Sequence, residues 1–402
     1  MSEQEYQSSQ VVIIQKTAAI PICFQVNADG LKMLLYNTHE EISGKRHLVP
    51  WNSHLIPKFL RLKIDDEELT EQETAVYDRQ IRVWGVDAQR RLSKSHILVS
   101  GIKGTIVEFC KNIVLAGVGS LTVHDDRMVT EELWSANFLI PPDENVYSGK
   151  SIAELCCDSL KNFNPMVRVF VEKGDLLSFD VDFFGKFDVV IVSSCSLSTK
   201  ISVNEKCRRL SKQIAFYTVD CRGSCGEIFV DLQNYIYSKG KADEKVECLL
   251  EYLSFEEAIS IPWRSLPRGL SKLYLVLRVI EQFEEIQGRT PGEISTADFL
   301  NVQKLRKELC QIHLMNESEI PDSLLQRLLA GGARESSPVC AIIGGILGQE
   351  VIKAISGKGD PLKNFFLFDA MDGKGIIQDI SKVQAPKTEF GLGSVERVEN
   401  IV

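Results

Sequence analysis

The sequence has few of the features that mark secreted, membrane-spanning or disulfide-stabilised proteins. Its eleven cysteines are scattered and never spaced C-x-x-C, which argues against a disulfide framework or a four-thiolate zinc site and indicates a reducing compartment. The first thirty residues lack a basic stretch followed by an apolar one, so no secretory signal is predicted. The longest apolar run, PVCAIIGGIL at 338–347, is too short to cross a bilayer, and no membrane partner is expected.

A segregated basic face is also missing. The formal net charge is -9, and an acidic surface repels phosphate backbones, so nucleic acid is not expected as a partner. Hydrophobic residues make up 44% and charged residues 25%, which is an ordinary globular composition. The 402 residues are enough for two to three domains, although an α/β fold can use most of that length in one unit.

From residue 96 the chain alternates apolar strand patterns with amphipathic helix patterns. This alternation is typical of an α/β, Rossmann-like fold with a mostly parallel central sheet and helices on both faces. Strands are predicted at 97–100, 120–125, 167–173, 187–194, 214–220 and 226–232, the last of them antiparallel. Helices are predicted after the first strand and at about 199–213, 268–286, 297–312 and 336–357, and a hairpin turns through Met371-Asp372-Gly373.

Three units follow from this pattern. Residues 1–63 form an N-terminal extension in which VVIIQ and AAIPICFQV could be short strands, with no turn chemistry that pairs them. Residues 64–382 form the Rossmann-like unit, with a mainly helical insertion at about 234–335, and 383–402 form a tail. In the helix at 336–357, Gly344, Gly345 and Gly348 each cost about 1 kcal/mol, which predicts that another backbone approaches closely there.

A helix is predicted to begin at Thr70, because Thr70 and Glu73 have the spacing of a capping box. Tyr77, Ile81 and Trp84 recur at four and three residues and form one buried stripe, and Gly85 stands where a helix ends. The side chains of two arginines, Arg79 and Arg82, are expected off that stripe.

The turn SGIKGTI at 100–106 follows a strand and precedes a helix, as in a dinucleotide-binding loop. Aligned on Gly101, however, Lys103 and Ile106 occupy the second and third glycine positions, where a side chain obstructs the pyrophosphate and the helix packing. Gly104 partly restores the turn, and Lys103 could contact phosphate as a point charge. A fold-supporting turn is favoured over a working nucleotide loop.

Longer motifs around this turn carry a family resemblance. YDRQIRVWG at 77–85, NPMVRV at 164–169, VDCRGSCGEIFVDLQNY at 219–235 and AIIGGILGQEVIKAISGKGDPLKNFFLFD at 341–369 resemble the ThiF-like activating enzymes of ubiquitin-like proteins. Within that family the similarity is greatest to the small subunits of heterodimeric SUMO-activating enzymes, in their plant form. The resemblance covers about 65–382 and implies that 64–382 is a pseudo-adenylation domain.

Such enzymes adenylate the C-terminal glycine of a modifier with ATP and magnesium, then bind the modifier to a cysteine as a thioester. The resemblance implies that the large catalytic subunit does both, that it is the partner of this chain, and that SUMO binds through the complex. ATP and magnesium are then held mainly by the large subunit, and no metal is expected on this chain. The chain acts as an enzyme only as a subunit, in the nucleus or, as an alternative, also in the cytoplasm.

The resemblance also implies roles for single residues. Arg79 reaches in trans towards the ATP phosphates in the partner's site, whereas Arg82 is structural or part of the interface. In its own site the chain has Leu133, Ala136 and Asn137 where an active member has the asparagine, arginine and glutamine of N-x-x-R-Q. The local residues are therefore vestigial: Gly101, Lys103, Gly104 and Asp125.

Weaker candidates have structural interpretations. Asp125 and Asp126 end the second strand, where a ribose contact lies in dinucleotide folds, and are interpreted as capping that strand. Gly149 and Lys150 are interpreted as supporting a helix start. Cys221 and Cys225, spaced C-x3-C without histidine partners, are interpreted as ordinary thiols, and no metal site is predicted.

Three alternatives remain open from the residues. The chain could be the equivalent subunit for another ubiquitin-like modifier, a self-sufficient adenylating enzyme of the ThiF type, or a nicotinamide-dependent oxidoreductase. The last would need a more complete G-x-G-x-x-G than the one at Gly101.

Overall fold

The computed structural model describes residues 69–129, 137–141, 143–239 and 246–381, and the backbone of 10–13, 22–27 and 30–35. The tail at 383–402 lies outside the described residues. The domain boundaries drawn from the sequence stay a prediction.

Three strands lie in the N-terminal region, namely β1 (Gln10–Ile13), β2 (Ile22–Asn27) and β3 (Gly30–Leu35). They form an antiparallel sheet in the order β1-β2-β3. The sequence suggested the first two as isolated strands and missed the third. A two-residue connection joins Asn27 to its partner Gly30, which is the shortest hairpin link.

The main sheet has eight strands in the order β13-β12-β9-β8-β7-β4-β5-β6. Its strands are β4 (His96–Ser100), β5 (Ser120–His124), β6 (Arg168–Glu172), β7 (Val189–Val192), β8 (Ala215–Arg222), β9 (Cys225–Asp231), β12 (Phe365–Asp369) and β13 (Lys374–Gln378). Strands β4 to β8 pair in parallel, and β9, β12 and β13 are antiparallel. The predicted α/β, mostly parallel fold is confirmed. Strands β10 (Asn234–Lys239) and β11 (Val246–Glu251) form a separate ribbon.

Helices surround this sheet. In chain order they are α1 (Glu71–Val76), α2 (Asp78–Trp84), α3 (Val86–Lys94), α4 (Gly104–Leu115), α5 (Glu144–Tyr147), α6 (Ile152–Phe163), α7 (Val181–Phe184), α8 (Leu197–Arg208), α9 (Phe255–Ile259), α10 (Lys272–Gln287), α11 (Phe299–Ile312), α12 (Asp322–Gly331) and α13 (Ser337–Ser356). Two apolar cores lie on opposite faces of the sheet, since Ile97 and Val99 of β4 belong to one and Leu98 to the other. Helices α4 and α13 cover the first face, and α10 covers the second.

The first predicted helix is correct at its start and wrong in its length. Thr70 and Glu73 form the capping box, but the helix is interrupted at Tyr77, whose backbone leaves helical geometry at φ -98 and ψ 11. Tyr77 is buried, whereas Ile81 and Trp84 are only half-buried, so the predicted stripe holds in part. Gly85 ends α2 at φ +88 and leads directly into α3, which the sequence did not predict.

Helix α13 is long and apolar enough to pass as a membrane span by length and composition, and it confirms the helix predicted at 336–357, of which the run at 338–347 is a part. Its apolar window is 61% buried in the domain, as in a core helix. A Cβ on Gly344 would lie 2.8 Å from the Thr105 carbonyl oxygen of α4, which confirms the expected close approach there. At Gly345 a Cβ would meet nothing within 4 Å, so no close approach of another backbone explains a glycine at that position.

Candidate functional site

The glycine turn lies at the carboxyl ends of β4 and β7, where the connections of the sheet diverge and open α/β sheets bind their ligands. Gly101 has φ +82, and its N–H donates to the His124 carbonyl oxygen at 3.1 Å. A Cβ on Gly101 would lie 1.9 Å from the carbonyl oxygen of Ser193, just past the end of β7. The backbone of the sheet therefore requires this glycine, whether or not a nucleotide binds.

Helix α4 begins at this turn with Gly104, and its N-cap residue Lys103 makes no side-chain capping bond. One N–H group of its first turn is instead bonded to a carboxylate from elsewhere in the chain. The Thr105 N–H donates to Glu335 Oε2 at 3.1 Å, and the Thr105 hydroxyl donates to Glu335 Oε1 at 3.4 Å. Glu335 thus occupies the helix N-terminus where a phosphate would bind in a nucleotide site.

A second carboxylate holds the turn itself. Ile102 donates its N–H to Asp125 Oδ2 at 2.8 Å, and the Arg127 Nε donates to Asp125 Oδ1 at 2.9 Å. Asp125 is buried. Its neighbour Asp126 accepts from the Gly174 N–H at 2.7 Å. Both aspartates thus accept bonds from backbone N–H groups of other segments.

The charge around the turn is mixed. Burial lowers the pKa of Lys103, and the nearby Glu335 partly opposes this decrease. Burial also raises the pKa of Glu335, with Lys103 and the Thr105 N–H acting in the opposite direction. The Ile106 side chain is fully buried in the apolar core and does not line the turn.

The remaining candidates of this site are only partly described. Leu133 and Ala136 lie outside the described residues. The Asn137 side chain is buried and accepts from the Leu139 N–H at 3.0 Å, which is the bond of a local turn. Lys150 lies 3.9 Å from Asp158, and the start of α6 is capped by the next residue, Ser151.

Arg79 lies at the other end of α4. Its side chain is exposed, and it makes no hydrogen bond or ion pair with any described residue. The neighbouring Gln80 donates to the Leu115 carbonyl oxygen, at the last residue of α4. Arg82 differs, because its Nη2 forms an ion pair with Asp78 Oδ2 at 2.9 Å.

Tyr77 anchors the helix that carries Arg79. Its hydroxyl accepts from Asn164 Nδ2 at 2.8 Å, and its ring lies where a Cβ on Gly117 would approach it to 2.3 Å. Lys358 Nζ donates to the Trp84 carbonyl oxygen at 2.6 Å and fixes the other end of α2. The motifs YDRQIRVWG, NPMVRV and AISGKGDP therefore meet at one platform.

Sequence reasoning missed Glu335. It lies 230 residues from Thr105, and no local pattern marks it. The cysteines considered as a pair are also separated in the structure, because Cys221 lies beside Cys340, whereas Cys225 lies beside Asp369.

Comparison with known proteins identifies the family. The model of the ThiF family matches residues 77–391. The chain is 68% identical over 318 residues to SUMO-activating enzyme subunit 1B-1 of Arabidopsis thaliana, covering 79% of this chain and 99% of that relative. It is 65% identical to subunit 1A of the same plant, covering 79% of this chain and 98% of the relative. To SUMO-activating enzyme subunit 1 of Danio rerio it is 33% identical over 348 residues, covering 79% and 97%. The chain therefore belongs to the ThiF family and, within it, to the SUMO-activating enzyme subunit 1 proteins.

Proposed function

We propose that this chain, as the small subunit of a SUMO-activating enzyme, contributes Arg79 to the ATP site of its partner and holds no ATP on its own glycine turn. The large catalytic subunit is the partner, and SUMO is the substrate of the heterodimer. The chain then supports ATP-dependent adenylation of the SUMO C-terminus and thioester formation on the partner's cysteine. Near full-length identity of 68% to a plant subunit 1 supports this role.

A nucleotide does not fit the chain's own turn as it stands. The N–H groups of Ile102 and Thr105, which a polyphosphate would need, already bind Asp125 and Glu335. A phosphate would have to displace Glu335 and then lie beside two carboxylates of its own sign. This arrangement supports a pseudo-active site, with ATP and magnesium bound mainly by the large subunit.

The observation that carries the role of Arg79 is its distance from that turn. Helix α4 has 12 residues, so its two ends lie about 18 Å apart. Gln80 contacts the carboxyl end of α4, and Thr105 lies at the amino end. An arginine side chain at position 79 is too short to cover that separation. Arg79 therefore does not serve the chain's own glycine turn, which supports a role towards a phosphate in the partner's site.

The chemistry of Arg79 suits a phosphate. Its guanidinium is permanently charged and offers five N–H donors in a planar fork, which matches phosphate oxygens. The fixed platform under Tyr77 leaves little backbone to reorganise, so the charge is already in place where negative charge develops. Arg82, held by Asp78 on the same helix, offers no free charge of this kind.

Reconstitution tests this role. Wild type, Arg79→Ala and Arg82→Ala are each combined with the large subunit, ATP, magnesium and SUMO, and adenylate and thioester formation are timed. Loss of one preorganised donor costs about a hundredfold or more in rate, so Arg79→Ala should fall by that factor and Arg82→Ala should stay near wild type. Size-exclusion chromatography checks that each variant still forms the heterodimer.

Four results would contradict the proposal. Equal rates for wild type and Arg79→Ala in intact heterodimers would remove Arg79 from the ATP site. Tight ATP binding by the isolated chain would favour a self-sufficient adenylating enzyme, and pyridine-nucleotide binding would favour an oxidoreductase. Activity with another ubiquitin-like modifier but not with SUMO would change the substrate.

We also propose a nuclear location, as the family resemblance implies. A fluorescent fusion of the full chain, imaged with a nuclear stain, checks it. A signal confined to the cytoplasm would contradict it.

A further inference from the structure

Beside the glycine turn, three side chains with metal-binding atoms converge. The thiol sulfurs of Cys221 and Cys340 and a carboxylate oxygen of Glu335 all lie within 4.8 Å of one another. Cys221 comes from the carboxyl end of β8, Glu335 from the segment before α13, and Cys340 from the first turn of α13. More than a hundred residues of sequence separate the first from the other two, so no spacing motif could show this cluster.

The backbone holds these three residues in place. The Gly223 N–H donates to the Arg334 carbonyl oxygen at 2.7 Å, and the Ser336 N–H donates to the Gly223 carbonyl oxygen at 3.1 Å. These two bonds fix the segment with Glu335 against the turn that follows Cys221. Both cysteines are buried, and Glu335 is half-buried, which leaves a way in from its side.

We propose that Cys221, Cys340 and Glu335 bind a zinc ion, with a water as the fourth ligand. Two sulfur ligands select a thiophilic metal over magnesium or calcium, which prefer oxygen ligands alone. Zinc accepts a mixed set of sulfur and carboxylate oxygen, at about 2.3 Å and about 2.0 Å respectively. These bond lengths place ligand atoms within about 4 Å of one another, so the observed spacing needs only a small contraction.

The charge balance favours a bound metal. Binding breaks two S–H bonds, releases the two protons to solvent and forms two Zn–S bonds, as zinc binding to thiols requires. Two thiolates, one carboxylate and Zn²⁺ give a net charge of -1, beside Lys103 and the N-terminus of α4.

Thr105 provides outer-sphere support for this site. Its N–H and hydroxyl both donate to Glu335, which orients the carboxylate. Such partners typically contribute tenfold or more to metal affinity.

Cys225 is the matched control. It is a buried thiol four residues after Cys221, but it lies beside the Arg327–Asp369 ion pair and outside the cluster. Its replacement removes a thiol of the same burial without removing a proposed ligand.

Metal content tests the site directly. The full chain is purified alone under reducing conditions, loaded with zinc and freed of excess metal. Its zinc content per chain is then measured by inductively coupled plasma mass spectrometry. About one zinc per chain is expected for wild type and Cys225→Ser, and a loss for Cys221→Ser and Cys340→Ser. Replacing zinc with cobalt should give the thiolate-to-cobalt charge-transfer absorption, which both cluster variants lose.

Several results would overturn the proposal. One is cobalt binding without the thiolate absorption. Another is an equal zinc content in wild type and in the Cys221→Ser/Cys340→Ser double variant. A third is a Cys221–Cys340 disulfide in place of a bound metal. If the cysteine variants fail to fold, the zinc affinity of Thr105→Val tests the site, because this variant keeps all three proposed ligands. It should weaken zinc affinity by about tenfold, and unchanged affinity would count against the site. None of these readouts depends on SUMO activation, so failure here leaves the proposed function standing.

Discussion

The two ends of α4 differ in how the charges and polar groups beside them are paired. At the amino end, the N–H groups of Ile102 and Thr105 are satisfied by carboxylates of the same chain. At the carboxyl end, Arg79 carries an exposed charge that no described residue neutralises. The amino end is satisfied within the chain, and the carboxyl end carries a cation that is unpaired among the residues the structure describes.

The contrast teaches which end can serve another molecule. The N-terminus of α4 already binds the Glu335 carboxylate. A phosphate would have to replace that carboxylate, so its binding would exchange one anion for another and add no new ion pair. The Arg79 guanidinium is exposed on an anchored helix and can pair with an arriving anion without first breaking a bond to any described residue. A chain can therefore have the fold of a nucleotide-binding domain while its own glycine turn is occupied by carboxylates of the same chain.

The largest expected effect concerns the amino end. Gly101→Ala would force a Cβ to within 1.9 Å of the Ser193 carbonyl oxygen at φ +82, so we expect a loss of about 4 kcal/mol or more in the free energy of unfolding. Gly149→Ala is the control, because it has φ +74 with nothing within 4 Å and should lose only about 1 kcal/mol. Urea unfolding of the nucleotide-free chain measures both. Equal losses would show that the sheet does not require Gly101.

A smaller effect concerns the carboxyl end. Tyr77→Phe removes the acceptor for Asn164 and should cost about 1 kcal/mol in the free energy of unfolding. It should also slow adenylation by the heterodimer, since the anchor of Arg79 loosens. Tyr217→Phe removes a buried hydroxyl that donates to the Glu350 carbonyl oxygen of α13 and makes no bond to the helix that carries Arg79. It should cost a similar free energy and leave the rate unchanged, and a matching loss of rate would break the assignment of Tyr77 as a positioning residue.

The smallest effect is a pH dependence at the amino end. Because burial raises the pKa of Glu335 in the folded state, its protonated form is favoured there, and its contribution to stability is complete below the unfolded pKa of about 4.3. That contribution is lost as the pH rises through the folded pKa. The unfolding free energy of wild type minus that of Glu335→Gln should therefore fall over this window. A difference that rises with pH would mean that the carboxylate is stabilised as an anion.

Local patterns predicted much of the fold. The capping box of Thr70 and Glu73, the strand at 97–100 and the helix end at Gly357 each depend on neighbours in sequence, and the structure shows all three. The predicted helix failed at Tyr77, because a ring that packs on Gly117 overrides helical spacing.

The site was only partly accessible from sequence. The missing second and third glycines could be read from the sequence, and so could the position of Arg79 off the apolar stripe of its helix. The carboxylate on Thr105 could not, since Glu335 is distant in the chain and its role exists only after folding. The neighbourhood of Cys221 and Cys340 is hidden for the same reason.

Helix α13 has a consequence for how this protein can change in length. It has 20 residues and spans about 30 Å. Just before it, Glu335 reaches the amino end of α4, and just after it, Lys358 holds α2 through the Trp84 carbonyl oxygen. Gly344 fixes where it crosses α4. The length of α13 therefore sets the distance between its attachment to α4 through Glu335 and its attachment to α2 through Lys358. Adding or removing one residue would turn its far end by about 100° and shift it by about 1.5 Å, so the two attachments could not both be kept.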